Sequence, residues 1–318
     1  YGKRSHDVIY WLNTMLEKRE KMHLRLVKGA YWDYEIKHAQ VSGYEGYPVF
    51  SKKSLTDISF LSCARQILQN KKIYPKFATH NAHTISSISF LAKDSPYEFQ
   101  RLYGMGELLY KSASEVLGLD KRPSIYAPIG NYKDLLPYLV RRLLENGANS
   151  SFINRLLDPE TDSKWLAENP MVRMKKETKE IPLPKDIFNK RENSSGYDLT
   201  EDENLKRLES SLAKFENTLV DAESIYVGRV KSSTSAHKAI SVANNKLIGS
   251  VTFDDPSNIE NAITNKSESI WNHFSVDERS KILQDIADHI EQEPNQLIFY
   301  LINEAGKTIQ NAIDEIRE

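Results

Sequence analysis

Tyr138, Arg141, Arg142 and Glu145 recur at i, i+3, i+4 and i+7, so on a helix they form one stripe of a phenol, two guanidinium groups and a carboxylate. Paired planar guanidinium groups can bind a small carboxylate or phosphate in a two-pronged way, which makes the stripe a candidate anion grip. Adjacent arginines also occur on plain solvated helix faces, and spacing alone leaves both readings open. Leu135, Leu136, Leu139, Val140, Leu143 and Leu144 occupy the rest of the turn and are expected to anchor the helix to a core. Asn131 can cap its start and Gly147 can end it.

Two further clusters carry chemistry. In HLRLVKGAYWD, alternation places Leu24 and Leu26 on one side of a strand and Arg25 and Val27 on the other, and Gly29 then allows close backbone approach to a ligand. Arg25 in so apolar a strand needs a partner: a neighbouring carboxylate, or an electron-rich cofactor. In FATHNAH, Thr79 and Asn81 can cap the following helix, and a helix start with His80 beside it also suits a pyrophosphate. His80 and His83 lack the nearby Cys, Asp or Glu that would complete a metal site, so no metal is expected. Neither a Walker loop nor a GxGxxG fingerprint is present.

The elements that must position these residues alternate in residues 1–155 like βα units around a parallel sheet. Strands are expected at His23–Lys28, Tyr74–Thr79, Phe99–Leu102 and Pro123–Ala127, with helices near 6–20, 54–70, 82–93, 108–118 and 131–147. Each strand runs into a chemically loaded cluster, namely KGAYWD, HNAH, YGMGE and PIGN. In a (β/α)8 barrel the carboxyl ends of the strands hold the site, so this repeated placement favours a barrel. Four strands in this length amount to half of one, and an open half is expected to expose two sheet edges and an apolar strand face.

Residues 156–220 turn polar and irregular (DPETDS, RMKKETKE, IPLPKD, RENSSG) and read as a linker or wrapping arm in which the run Arg173–Glu180 is solvated helix. Residues 221–318 begin a second domain, with strands at Ser224–Val230, Ala239–Val242 and Leu247–Phe253 and helices near 256–273, 276–292 and 295–317. The chain end AIDEIRE still reads as helix interior, and Tyr1 follows no leader, so both ends are expected to be cuts in a longer chain.

Composition bounds the partners. With 318 residues, 40% apolar and 27% charged, the chain has material for about two soluble domains. The balance of 43 basic against 44 acidic side chains gives no broad basic surface for nucleic acid. One cysteine, Cys63, excludes an internal disulfide, suits a reducing cytoplasm and, in the helical pattern LSCARQIL, reads as a packed thiol.

The strings RLVKGAYWDYEIKHAQ, GYPVF, FATHNAHT, EFQRLYGMGE, YAPIG and YLVRRLLENGANSSFINR, followed by IPLPKDIFN, SGYDL and EAGKTIQNAIDEIRE, occur in the order of the proline utilization A family, which the chain closely resembles. These are bifunctional flavoenzymes that oxidise proline to glutamate. The resemblance implies an α/β fold in which the second half of a proline dehydrogenase (β/α)8 barrel precedes a linker and the truncated start of an aldehyde dehydrogenase domain. It implies that Arg141 and Arg142 hold the carboxylate of L-proline, that Glu145 holds an arginine in place, and that Tyr126, Tyr138 and Leu102 wall the pocket. Arg25 matches the arginine beside the flavin of FAD. Lys28, Gly29, Ala30 and Trp32 match the flavin-cradling loop, Thr79, His80 and Asn81 fall where the rest of FAD is bound, and Ser51 and Lys52 lie toward the adenosine end.

The reaction implied is hydride removal beside the proline nitrogen, giving pyrroline-5-carboxylate, whose hydrolysis product feeds the second activity. Departures from the family also follow. The family's catalytic lysine and aspartate lie on earlier strands, and the aldehyde dehydrogenase part stops before the NAD site and the nucleophilic thiol, a role Cys63 cannot take. The DNA-binding domain that begins some relatives is not expected among these residues either. The isolated chain is therefore expected to be inactive without a complementary barrel half; the alternative is a non-catalytic remnant or interaction module. The family further implies a homo-oligomer, a cytoplasmic location peripheral to the inner membrane, and a membrane quinone as electron acceptor.

Overall fold

Alternation in MHLRLV decides which side of the first strand meets the core. In the computed structural model, which describes residues 2–16, 21–29, 31–119, 122–147, 164, 167–178, 181–226, 229–230, 236–264 and 270–318, this strand is β1 (Met22–Val27). Met22, Leu24 and Leu26 pack on buried Ile9, Leu16, Cys63, Ile67 and Ile73, whereas His23, Arg25 and Val27 are exposed on the other face. β2 (Ile73–Ala78), β3 (Glu98–Leu102) and β4 (Ser124–Tyr126) follow, all parallel and in chain order. Sequential order with parallel pairing is the arrangement of consecutive units of a (β/α)8 barrel.

The helices are α1 (Ser5–Leu16), α2 (Trp32–Val41), α3 (Lys53–Gln69), α4 (Ala82–Ala92), α5 (Glu107–Leu117) and α6 (Tyr132–Gly147). Phe60 and Ala64 of α3, Ile85 and Ile88 of α4 and Tyr110 of α5 enclose Phe77 and Phe99 on the helix side of the sheet. Rings step through this core from Phe77 to Tyr97, Phe99 and Tyr110 at centroid separations of 6.1, 5.1 and 5.7 Å, spacings at which tilted aromatic pairs attract.

By strand alternation the opposite face sets Arg25, Lys76, Glu98, Gln100 and Ser124 beside Val27, Ala78, Leu102 and Tyr126, so it is mixed, less apolar than expected for an opened barrel. Lys76 and Glu98 meet across neighbouring strands at 3.9 Å. The face is also concave: the Arg25 guanidinium on β1 lies 4.7 Å from the ring centroid of Tyr126 on β4. In a flat sheet those strands would be about 14 Å apart, three spacings of roughly 4.8 Å.

Two expectations for this region are corrected. α2 begins at Trp32, where a loop was expected, and Asp33 and Glu35 favour that start electrostatically. Leu136, Leu139 and Val140 are exposed, so these side chains do not anchor α6 to a core; Leu135 is half-buried together with the polar stripe, and the side chains of Leu143 and Leu144 lie outside the described residues.

The described residues form two compact units, 1–39 with 46–183, and 40–45 with 184–318. The first takes in the helix Pro170–Lys176, whose Arg173 is buried and not on a solvated face. In the second, β5 (Val220–Glu223), β9 (Leu247–Thr252) and β8 (Ala236–Ile240) form a sheet in the order β5-β9-β8, with β5 parallel and β8 antiparallel to β9. The expected strand Ser224–Val230 is a hairpin of β6 (Ile225–Tyr226) and β7 (Arg229–Val230). The expected helix 256–273 is Pro256–Thr264 followed by a single 3₁₀ turn, Ile270–His273. Helix Val276–Gln292 opens with a capping box between Ser275 and Glu278. The expected helix 295–317 is two, Pro294–Asn303 and Ile309–Arg317, because Gly306 between them adopts φ +68°. Leu208, Ile298, Ala312 and Ile313 form the core of this unit.

Candidate functional site at the strand carboxyl ends

α6 starts where Asn131 Oδ1 accepts from the Asp134 N–H at 3.1 Å, the cap that the sequence supplies. From there the helix presents Tyr138, Arg141 and Arg142, all half-buried. The Arg141 guanidinium lies 5.8 Å from the centroid of Tyr31, on the turn that follows β1, and Arg142 lies 5.4 Å from the ring of Tyr138. Among the described residues, Arg141 Nε is a buried donor with no hydrogen-bond acceptor. Glu145 belongs to α6, but its side chain lies outside the described residues.

His80 follows β2, and its imidazole is held below the usual histidine range by burial first and then by the positive fields of Arg101 and Arg142. Arg142 thus contributes positive potential at the second strand end. His80 Nε2 accepts from the Leu102 N–H at 3.3 Å, which links the ends of β2 and β3 and puts the proton of the neutral ring on Nδ1. Thr79 contributes its carbonyl to the buried Tyr110 hydroxyl at 2.8 Å and its Oγ1 to the Asn81 N–H at 3.2 Å. Asn81 Oδ1 caps α4 by accepting from the Thr84 N–H at 3.0 Å. Burial raises the Tyr110 phenol well above its ordinary value, so it remains a donor.

Arg25, Leu102 and Tyr126 share the concave face, with Leu102 and Tyr126 directly paired across β3 and β4. Trp32 is half-buried and its Nε1 donates to the Phe50 carbonyl at 2.8 Å, tying the start of α2 to the chain entering α3. Ser51 and Lys52 lie half-buried just before α3, with Lys52 at its N-cap position. Gly29 is exposed at the end of β1; Ala30 lies outside the described residues.

Lys28, expected in the cofactor cradle, engages a charge cluster through its side chain. Its ammonium turns into the helix layer, 2.5 Å from Asp57 Oδ1, 3.2 Å from Thr84 Oγ1 and 5.1 Å from the centroid of Phe60. Strand alternation explains this, because Lys28 follows the inward-facing Val27 and so faces the helices. Burial pushes its amine down against the opposing pull of Asp57. Asp57 also receives Lys53 at 3.0 Å and Arg173 at 3.8 Å. Burial would raise the Asp57 carboxyl, but Lys28 and Lys53 together outweigh it and hold it below the ordinary range. Loss of Asp57 would strand the enclosed cations, and breaking so enclosed a pair from one side costs about 3–5 kcal/mol. The sequence reading missed this cluster, for Asp57 and Arg173 are far apart in the chain and carry no shared motif.

The structure thus sets Arg101 and Arg142 in the field of a neutral imidazole, Arg141 beside Tyr31 and Arg25 over Tyr126, cationic groups able to bind a carboxylate and stabilise negative charge on a ring system. The family model described as proline dehydrogenase matches residues 1–155, and the aldehyde dehydrogenase family matches residues 229–318. These families generally use FAD and NAD, respectively, and proline is the substrate of the first. The bifunctional protein PutA of Escherichia coli is 39% identical over the whole chain and that of Rhizobium meliloti 36%, with 26% and 27% of those proteins covered. A mitochondrial proline dehydrogenase of Caenorhabditis elegans is 31% identical over 48% of the chain, covering 26% of that protein. Among solved structures, a proline utilization A with proline bound in remote sites matches with TM-score 0.77 and 33% identity, covering 100% of this chain and 30% of that one. The enzyme from Bdellovibrio bacteriovorus inactivated by N-propargylglycine matches with TM-score 0.73 and 25% identity, covering 99% and 34%. The chain spans about a quarter of the length of the curated PutA relatives it matches. Residues 1–155 belong to the proline dehydrogenase family of oxidoreductases, and residues 229–318 are part of an aldehyde dehydrogenase domain, in the order of the PutA proteins to which the whole chain is homologous.

Proposed function

We propose that residues 1–147 form the carboxylate-binding and flavin-facing part of a proline dehydrogenase that oxidises L-proline to pyrroline-5-carboxylate. The observation that carries this is the convergence of α6 on the strand ends: Arg141 beside Tyr31, and Arg142 within the field felt by His80. Arg141 and Arg142 anchor the substrate carboxylate, and the buried, unpaired Nε of Arg141 is suited to such an acceptor. Tyr126, Tyr138 and Leu102 bound the ring, and fixing the carboxylate orients the carbon beside the nitrogen. The residues fit FAD: Arg25 stands on a concave polar face, and the start of α4 with His80 suits a pyrophosphate. When bound there, FAD supplies the acceptor for the hydride. Arg25 stabilises negative charge on the concave face, and His80, held neutral, offers Nδ1–H as a donor.

The remaining barrel strands are supplied by a complementary segment, and the chain alone is inactive. The aldehyde dehydrogenase region belongs to a second, NAD-dependent oxidation whose cofactor site is formed elsewhere. We place the enzyme in the cytoplasm, peripheral to the inner membrane as a homo-oligomer, with a quinone reoxidising the flavin. The purified chain is expected to show no flavin absorbance and no proline-dependent dye reduction, both returning on co-expression with the complementary barrel segment. Turnover by the isolated chain would overturn the dependence. In the reconstituted enzyme Arg142→Lys should raise the proline KM by about tenfold or more, since lysine lacks the planar fork; an unchanged KM would overturn the carboxylate role.

A further inference from the structure

We propose that Arg173 is a positioning residue for the carboxylate pocket, acting through Asp57 and Lys28 on the turn that carries Tyr31. The inference rests on the pocket assigned above. Arg173 Nη1 lies 3.8 Å from Asp57 Oδ2, and Asp57 Oδ1 lies 2.5 Å from Lys28 Nζ. Lys28 and Tyr31 stand on the same short turn between β1 and α2, and the Tyr31 ring lies 5.8 Å from the Arg141 guanidinium. A line of charge and ring contacts therefore runs from the helix Pro170–Lys176, which follows α6 in the chain, back to an arginine of α6 itself.

This short helix has little stability of its own, because a single pair of turns does not repay helix nucleation. Docking holds it. Asn169 caps it by accepting from the Met171 N–H at 2.9 Å, Pro170 and Arg173 are buried, and Glu177 accepts from Ser54 Oγ at 2.5 Å. Two of these contacts reach α3 and differ in what lies beyond them. Ser54 meets Glu177 and leads no further, whereas Asp57 continues to Lys28. A helix needed only as a brace would depend on both contacts alike. A helix that sets the pocket would depend on the Asp57 contact in particular, for of the two it is the one that, among the described residues, reaches the turn of Tyr31. Lys53 also faces Asp57, but from the same helix, so it cannot convey the position of the docked segment.

The test uses the chain reconstituted with its complementary barrel segment and follows steady-state proline oxidation. Arg173→Met, which keeps the apolar stem and removes the charge, should raise the proline KM by about fivefold or more with kcat changed by less than about twofold, the signature of lost binding and not lost chemistry. Arg173→Lys should bring KM back to within about threefold of the parent, because a cation is restored. Asp57→Asn tests the same line and serves if Arg173→Met fails to fold. Ser54→Ala, which releases Glu177 only, should leave KM within about twofold. An equal KM rise in Ser54→Ala would overturn the proposal in favour of a brace, as would an unchanged KM in both Arg173→Met and Asp57→Asn. These outcomes are separable from failure of the pocket itself: there Arg142→Lys would leave KM unchanged, whatever Arg173 does.

Discussion

Replacing Gly106 with alanine tests the local geometry that joins the second and third strand ends. Gly106 has φ +69°, a left-handed conformation that costs an L-residue about 1–2 kcal/mol. A Cβ there would also lie 2.8 Å from Cδ2 of the His80 ring, closer than carbon atoms approach, so the imidazole must move. Moving it breaks the 3.3 Å hydrogen bond from the Leu102 N–H, a further loss of about 0.5–1.5 kcal/mol. The sum is about 1.5–3.5 kcal/mol. Gly104 is the internal control: its φ is +76°, but nothing lies within 4 Å of its Cβ position, so Gly104→Ala should cost only the backbone strain of about 1–2 kcal/mol. Urea unfolding of the reconstituted barrel at neutral pH measures both from their midpoints at constant m. Equal destabilisation of the two variants would refute the His80 contact, and an unaffected Gly106→Ala would refute the left-handed turn as well.

Other outcomes follow from the same contacts. Phe77→Ala, at a position fully buried between sheet and helices, should destabilise by about 3–5 kcal/mol in the same assay; a loss under about 1 kcal/mol would contradict the core described. His80 is held neutral by burial and two arginines, so the unfolded chain, with a histidine pKa near about 6.5, takes up a proton that the folded protein resists. Its contribution is present above that value and lost as pH falls from it toward the lower folded pKa. His80→Gln should therefore flatten the decline in unfolding midpoint between about pH 7.5 and 5.5, and an unaltered slope would exclude His80 as a source. His83, also depressed by burial, contributes a slope of the same sign that remains.

The sequence made the four parallel strands β1–β4 legible because each alternates or runs apolar before a polar cluster, and each of these four lies within a residue or two of its expected place, whereas β5 was not expected at all. The cap at Asn131 was legible for a local reason, the short side chain of an N-terminal residue. α2 was not: only Ile36 and Ala39 are buried along it, too few to give a periodic stripe, and its acidic first turn was its available signal. Arg173 was misread because a charge run looks solvated unless the distant Asp57 is known to lie opposite. The ion pair of Lys28 was hidden for the same reason, since its neighbours in sequence conceal a partner on α3. Glu145 and Ala30 retain their expected roles only as proposals, for they lie beyond what the structure describes of side chain or backbone.

The bend that brings Arg25 onto Tyr126 has a consequence for how mutations should be scanned. The gap between these side chains belongs to the radius of the whole sheet, which the packing behind it sets, and to no residue near either one. A bulkier or smaller side chain at Phe60, Ile85 or Ile88 can therefore widen or pinch the trough from its far side, altering which flat molecules slide into it while every lining residue stays as it was.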